Sequence, residues 1–158
     1  MNIDIVKDSE TKKKITREVL EALPEWFEVE ESREQYIKES AERIMVASFD
    51  GDKATGFLCL KPTGKQTVEL AVMGVLKEYH RQGIGRLLFT KAKEIARENG
   101  YEFMQVKTVK MGVYEDYDRT NLFYLSLGFK EFEVMPTLWD EGNPCKIYVM
   151  ALTPAGGS

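Results

Sequence analysis

The stretch Val75-Leu76-Lys77-Glu78-Tyr79-His80-Arg81-Gln82-Gly83-Ile84-Gly85-Arg86-Leu87-Leu88 sets two glycines, one residue apart, between an apolar run and an amphipathic one. Upstream, Gln66 to Val75 reads as a strand. Downstream, Arg86 to Glu98 reads as a helix with Leu87, Leu88, Ala92, Ile95 and Ala96 on its inner side, closed by Asn99-Gly100. A strand, a short Gly-X-Gly loop and a helix in that order suit an anion. The first helical turn has N–H groups without intrahelical partners, and its dipole favours negative charge. Glycine lets the backbone come close to an oxygen-rich ligand and adopt positive φ, so a pyrophosphate fits there. Alone, the turn reads equally well as a tight connection with no ligand. The third glycine of a dinucleotide fingerprint would fall on Leu88, and the Gly-Lys-Ser/Thr of a nucleotide phosphate loop is absent.

Outward from this turn, the chain predicts alternating element types. Asn2 to Val6 is a short strand, and a helix follows from Ser9 or Thr11 to Leu23, where Ile15, Val19, Leu20 and Leu23 recur at helical spacing before Pro24. Glu31 to Glu42 is a second helix with Tyr36, Ile37 and Ala41 turned inward. Arg43 to Phe49 and Ala54 to Leu60 form a hairpin about Asp50-Gly51-Asp52. Gly74, inside the fourth strand, marks a bulge or a close backbone approach. After the glycine turn and its helix come a strand from Phe103 to Val109, a short helix from about Thr120 to Leu127, and two strands, Lys130 to Met135 and Lys146 to Leu152. A long loop including Pro136 to Pro144 separates the last two.

The 158 residues are the length of one domain, and no repeat or linker composition divides them. A single domain over 1–152 with a flexible tail over 153–158 is expected. Apolar residues make up 43 % and charged residues 30 %, which fits a globular enzyme rather than a disordered chain. The net charge of −4 gives no support to a nucleic-acid partner, and no apolar run is long enough for a membrane. The first residues lack the basic start and apolar stretch of a secretory signal, so a cytoplasmic location with reduced thiols is expected. Cys59, Cys145 and the single His80 lack metal-ligand spacing, and no metal is expected.

The segment VLKEYHRQGIGRLL resembles the acetyl-CoA signature of the GNAT N-acetyltransferase superfamily, whose core is Arg/Gln-X-X-Gly-X-Gly/Ala. The order of elements matches too, over nearly the whole chain, and one further segment is similar to a little-characterised bacterial subgroup. The resemblance implies an α/β (α+β) acyl-CoA N-acyltransferase fold, a mixed, mostly antiparallel central sheet of about seven strands with about four helices. It implies acetyl-CoA as co-substrate, with Arg81, Gln82, Gly83, Ile84, Gly85 and Arg86 around the pyrophosphate. In this family the fourth strand splays from the fifth and pairs with the pantetheine arm, which falls on Met73, Gly74 and Val75. A homodimer is a family-level expectation. Two positions depart from the pattern: the Arg/Gln position falls on His80, and an asparagine that holds the pantetheine arm in many relatives is here Tyr117.

Acetyl transfer to an amine needs a base for the ammonium, stabilisation of the developing oxyanion, and a proton for the departing thiolate. Phe123-Tyr124-Leu125-Ser126-Leu127-Gly128-Phe129 resembles the family segment whose tyrosine sits near the thioester sulfur. Tyr124 is therefore the candidate acid, beside Phe123, although a helix residue of this kind also serves simply to pack. Glu69, fourteen positions before Gly83, resembles the catalytic glutamate of some members; an alternating strand equally places a glutamate on its wet face. A covalent acyl-cysteine route through Cys59 or Cys145 has no neighbouring histidine in sequence, which favours direct transfer in a ternary complex.

The acceptor, a small-molecule or peptide amine, is set in this family by the first two helices and the loop between the last two strands. Trp26 and Tyr36 fall on the former. Trp139 and Asp140 fall on the latter, where an indole can stack on an acceptor and a carboxylate can hold its ammonium; an anchoring tryptophan and a solvated acid are the plain alternative. The substituted positions His80 and Tyr117 also leave open a non-catalytic acyl-CoA-binding module.

Overall fold

A computed structural model describes residues 1–152; the tail expected over 153–158 lies outside the described residues. Among the described residues, seven strands join in the order β1-β2-β3-β4-β5-β7-β6, with four α-helices between them. The β1–β2, β2–β3, β5–β7 and β6–β7 pairs are antiparallel and β4–β5 is parallel, so the sheet is mixed and mostly antiparallel, as expected. The chain forms two compact units. One comprises Met1–Lys61 with Ala71–Ala96, the other Pro62–Leu70 with the described residues from Arg97 to Leu152.

In the first unit, β1 (Asn2–Val6), β2 (Ile44–Asp50) and β3 (Lys53–Pro62) form an antiparallel meander. Helix α1 (Ser9–Glu21) starts on Asp8, whose carboxylate accepts from the Thr11 N–H at 2.8 Å, and buries Ile15, Val19 and Leu20. This is the capping arrangement that stabilises a helix start. Those side chains pack with Leu23, Met45, Ala47, Phe57, Cys59, Val72 and Leu76 in one core. Helix α2 (Glu30–Ser40) is joined to α1 by Arg17, whose guanidinium meets both oxygens of Glu34 at 2.7 and 2.8 Å. Strand β4 (Thr67–Val75) leads through a 3-10 turn, Lys77–Tyr79, to α3 (Ile84–Glu98). Helix α3 begins two residues before the expected Arg86, and Leu87, expected on its inner side, is 49 % exposed. The buried stripe is Ile84, Leu88, Phe89, Ala92, Ile95 and Ala96.

In the second unit, Thr67–Leu70 of β4 pairs with Phe103–Val106 of β5 (Phe103–Val109). Strand β7 (Asn143–Ala151) pairs with all of β5, and β6 (Lys130–Asp140) lies outside β7. Helix α4 (Glu115–Ser126) starts five residues earlier than its apolar spacing indicates, with Glu115, Asp116 and Asp118 in its first turn. Acids there are favoured by the helix dipole. The long loop expected between the last strands is instead a hairpin with a two-residue turn, Glu141-Gly142. Its ladder is interrupted: Met135 faces Cys145 and Asp140 faces Asn143, so the four residues 136–139 stand opposite Pro144 alone. Two prolines and that four-to-one bulge hide the strand from its sequence pattern.

Candidate functional site

The glycine turn belongs to the first unit. Leu76 N–H donates to the Thr55 carbonyl at 2.8 Å, which leaves β4 in register with β3 up to the turn. The 3-10 turn is held from three sides: Tyr79 Oη donates to Asp50 at 2.9 Å, Lys53 reaches Glu78 at 3.7 Å, and Lys77 pairs with Glu25. The Asp50 carboxylate beside it pushes the Tyr79 hydroxyl above its ordinary range, so that side chain stays a donor. The backbone then reverses through two left-handed residues, Arg81 at φ 65° and Gly83 at φ 77°. The Gly83 carbonyl accepts from the Leu87 N–H at 3.1 Å, which makes Gly83 the cap of α3 and places Ile84, Gly85 and Arg86 in its first turn. Their N–H groups have no acceptor within the helix.

Charge distinguishes α3 from the other helices. The first turns of α1, α2 and α4 carry acids of their own: Glu10 in α1, Glu30 and Glu31 in α2, and Glu115, Asp116 and Asp118 in α4. That of α3 carries none and holds Arg86 instead. The positive end of its dipole is thus met by no acid of its own first turn. At Gly83 a Cβ would meet nothing within 4 Å, so the backbone there stands in open space. An acid-free helix start with a cation and an open glycine fits a pyrophosphate, and these residues fit the phosphate end of coenzyme A.

Of the expected pantetheine positions, Met73 and Val75 are half-buried and Gly74 is buried, all within the unbroken strand β4. The need for glycine at 74 is a close approach: a Cβ would lie 3.0 Å from both Val19 Cγ1 of α1 and Leu23 Cδ1 just beyond that helix. Sequence reasoning left His80 without a function. In the structure its Nε2 lies 2.6 Å from the Val75 carbonyl, and its ring meets Trp26 edge-on with centroids 6.1 Å apart. Tyr36 packs edge-on against Phe27 at 6.0 Å.

The second unit holds the other candidates. Glu69 on β4 and Lys107 on β5 form an ion pair at 2.9 Å, with side chains only 12 % and 28 % exposed. The wet-face alternative for Glu69 does not describe it, since the carboxylate is mostly enclosed and already has a cation. Cys145 on β7 lies near both. Burial pushes its thiol above the ordinary range, and burial pushes Cys59 to about 12, so both thiols stay protonated at neutral pH.

Tyr124 is 7 % exposed on α4, in a ring cluster with Phe123 at 5.9 Å, Phe129 at 5.9 Å and Tyr148 at 6.5 Å. One turn earlier sits Asn121, wholly buried, which no sequence signal brought forward. Its Nδ2 donates to the carbonyls of Val109 at 2.8 Å and Tyr117 at 2.7 Å, and its Oδ1 accepts from Tyr148 Oη at 2.6 Å. Asn121 thereby ties the Tyr124 helix to the end of β5 and to β7. Tyr117 is half-buried with its ring 6.0 Å from Tyr114. Trp139 is 46 % exposed within the bulge of β6. Asp140 is exposed and accepts from Asn143 Nδ2 at 2.9 and 3.1 Å across the turn, so its carboxylate helps to close the hairpin. No group of three or more metal-ligating side chains occurs among the described residues, and no helix there is long and apolar enough to cross a membrane.

Comparison with known proteins places this geometry. No curated protein sequence matches the chain. Among solved structures, a GNAT-family protein from Desulfovibrio desulfuricans superposes with a TM-score of 0.83 at 18 % identity, over 96 % of this chain and 99 % of that one. An aminoglycoside 6'-N-acetyltransferase complexed with coenzyme A superposes at 0.76 with 21 % identity, over 98 % of each chain. A GNAT-family acetyltransferase from Elizabethkingia anophelis with acetyl-CoA bound gives 0.74 at 16 % identity, over 96 % and 97 %. These likenesses establish the acyl-CoA N-acyltransferase fold. The family model "Acetyltransferase (GNAT) family" matches residues 12–129, most of the chain, and this protein belongs to that family.

Proposed function

We propose that this protein is an N-acetyltransferase that moves the acetyl group of acetyl-CoA to a primary amine by direct transfer in a ternary complex. The observation that carries the reading is the start of α3, cationic and without acids of its own, behind the glycine-opened turn. The coenzyme A and acetyl-CoA bound to two proteins of the same fold support the donor. In this reading Arg81 to Arg86 hold the pyrophosphate, and Met73 to Val75 face the pantetheine arm with Tyr117 and Phe123. The match of one family model across residues of both units supports a single catalytic domain.

In the proposed chemistry the acceptor ammonium first loses a proton, with Glu69, directly or through water, as its acceptor. The amine nitrogen attacks the thioester carbonyl carbon, the C–S bond breaks, Tyr124 supplies a proton to the departing thiolate, and the second nitrogen proton, lost as the amide forms, restores the Tyr124 phenol through water. The protonated thiols of Cys59 and Cys145 support direct transfer over an acyl-cysteine intermediate. Trp26, Tyr36 and Trp139 are proposed to give the acceptor aromatic surface, and Asp140 to hold its ammonium. The buried, unpaired cysteines support a reducing, cytoplasmic location. Light scattering tests the homodimer expected of the family.

The test is release of free thiol from acetyl-CoA across a panel of polyamines, aminoglycosides, amino acids and peptides. Tyr124→Phe is expected to lower kcat at least tenfold, about 1.4 kcal/mol of barrier, while leaving coenzyme A affinity unchanged. Unchanged turnover removes Tyr124 from the mechanism. Tight coenzyme A binding with no thiol release from any acceptor reassigns the protein as a non-catalytic acyl-CoA-binding module.

A further inference from the structure

The main-chain groups of a strand residue point to one side, and those of the next residue point to the other. Leu76 N–H donates to Thr55, and the Gly74 carbonyl lies 3.0 Å from where a Gly56 Cβ would stand, so 74 and 76 face β3. Met73 and Val75 therefore direct their N–H and C=O groups to the opposite side of β4. His80 Nε2 lies 2.6 Å from the Val75 carbonyl on that side. A carbonyl only accepts, so Nε2 carries the proton and donates. The imidazole thus occupies the last outward-facing acceptor of β4, and Val75 N–H with the N–H and C=O of Met73 make up the rest of that edge.

We infer that His80 is a positioning residue for the acyl donor, a latch that closes the ligand-facing edge of β4 and sets the entry to the glycine turn. The inference rests on the proposed acetyl-CoA site. With Val75 C=O taken, Met73 C=O as acceptor and the Met73 and Val75 N–H groups as donors are left to a ligand pairing as an added strand, which restricts its register along β4. The same imidazole anchors the backbone directly before Arg81, a non-glycine residue at φ 65°. Such a conformation persists only where its surroundings hold it. Here Trp26 against the imidazole, and the Tyr79–Asp50 and Lys77–Glu25 contacts just upstream, supply that hold.

His80 is the only histidine, so its ring gives a single pair of imidazole nitrogen signals. A long-range proton–nitrogen spectrum of the ¹⁵N-labelled protein at pH 8.5 reads its tautomer. The latch requires Nε2 protonated and Nδ1 bare, unchanged when coenzyme A is added. Calorimetry with coenzyme A is run on wild type, His80→Ala and His80→Gln, each checked for fold by circular dichroism. His80→Ala is expected to weaken binding about tenfold, and His80→Gln, which keeps a donor, to recover most of it. An Nδ1-protonated ring, or a folded His80→Ala that binds as wild type does, overturns the latch. Wild type failing to bind coenzyme A overturns the proposed function instead, and the tautomer then decides the latch alone.

Discussion

Asn121 offers a sharp test of how the second unit holds its helix. Replacing it with alanine removes two donated hydrogen bonds, to Val109 and Tyr117, and strands the Tyr148 hydroxyl, whose residue is 1 % exposed. A net hydrogen bond is worth about 1 kcal/mol, and a buried orphaned hydroxyl costs at least as much again, so the loss totals about 3 kcal/mol. For a chain of this size each kcal/mol moves the midpoint by about 2–4 °C, which predicts a fall in Tm of about 6–12 °C by circular dichroism. Tyr148→Phe leaves only the Asn121 Oδ1 orphaned and is expected to cost about 1.5 kcal/mol. Once both partners are gone neither is orphaned, so the double variant is expected to be more stable than the sum of the single losses indicates, by about 1 kcal/mol or more. An Asn121→Ala protein melting within 2 °C of wild type (about 0.5–1 kcal/mol), or strict additivity in the cycle, refutes the network as described.

Three further outcomes follow from the packing and charge pairs. Gly74→Ala places a methyl 3.0 Å from Leu23 and Val19 and is expected to destabilise by about 1–3 kcal/mol in urea titration, whereas Gly64→Ala, with open space around it, leaves the midpoint unchanged. Lys107→Met removes the cation 2.9 Å from Glu69; if Glu69 is the base, kcat is expected to change at least about threefold with coenzyme A affinity unchanged, and Lys107→Arg restores it. An unchanged kcat removes Glu69 from the base role. Asp8, Glu25, Glu34 and Glu131 are all held below the usual carboxylate range, by hydrogen bonds from Thr11, Lys77, Arg17 and Lys146 respectively. A depressed carboxyl contributes stability above its unfolded pKa and loses it as pH falls through the folded one. Thermal stability is therefore expected to hold down to about pH 4.5 and decline below it; melts between pH 7 and 3 that show no decline contradict these pairings.

What could be read from the chain, and what could not, divides along physical lines. Helix and strand order followed from apolar spacing, since Ile15, Val19 and Leu20 or Leu88, Ala92 and Ile95 announce a buried stripe directly. The glycine turn was legible because a positive φ, as at Gly83, restricts residue choice locally. Partnerships across the chain left no such mark. Glu69 and Lys107 are 38 residues apart, and nothing in either stretch states that they meet. Asn121 reads as an ordinary polar helix residue until the Tyr148 hydroxyl, 27 residues on, arrives against it. His80 looked like a departure from a pattern, and its meaning lay in the direction of one carbonyl five residues earlier. The acids of the first turn of α4 were a usable signal for an earlier start, outweighed by the weak apolar spacing around them.

The mismatch in the last hairpin bears on how such a protein changes over generations. Because residues 136–139 face Pro144 alone while pairing resumes at Asp140 and Asn143, the register on either side is fixed independently of what lies between. A segment bracketed in this way tolerates insertion, deletion or wholesale replacement without shifting the ladder that holds Cys145 and Lys146 in place. Trp139 stands on that segment, so the chain carries a built-in grafting point where new side chains can be tried against an unchanged scaffold.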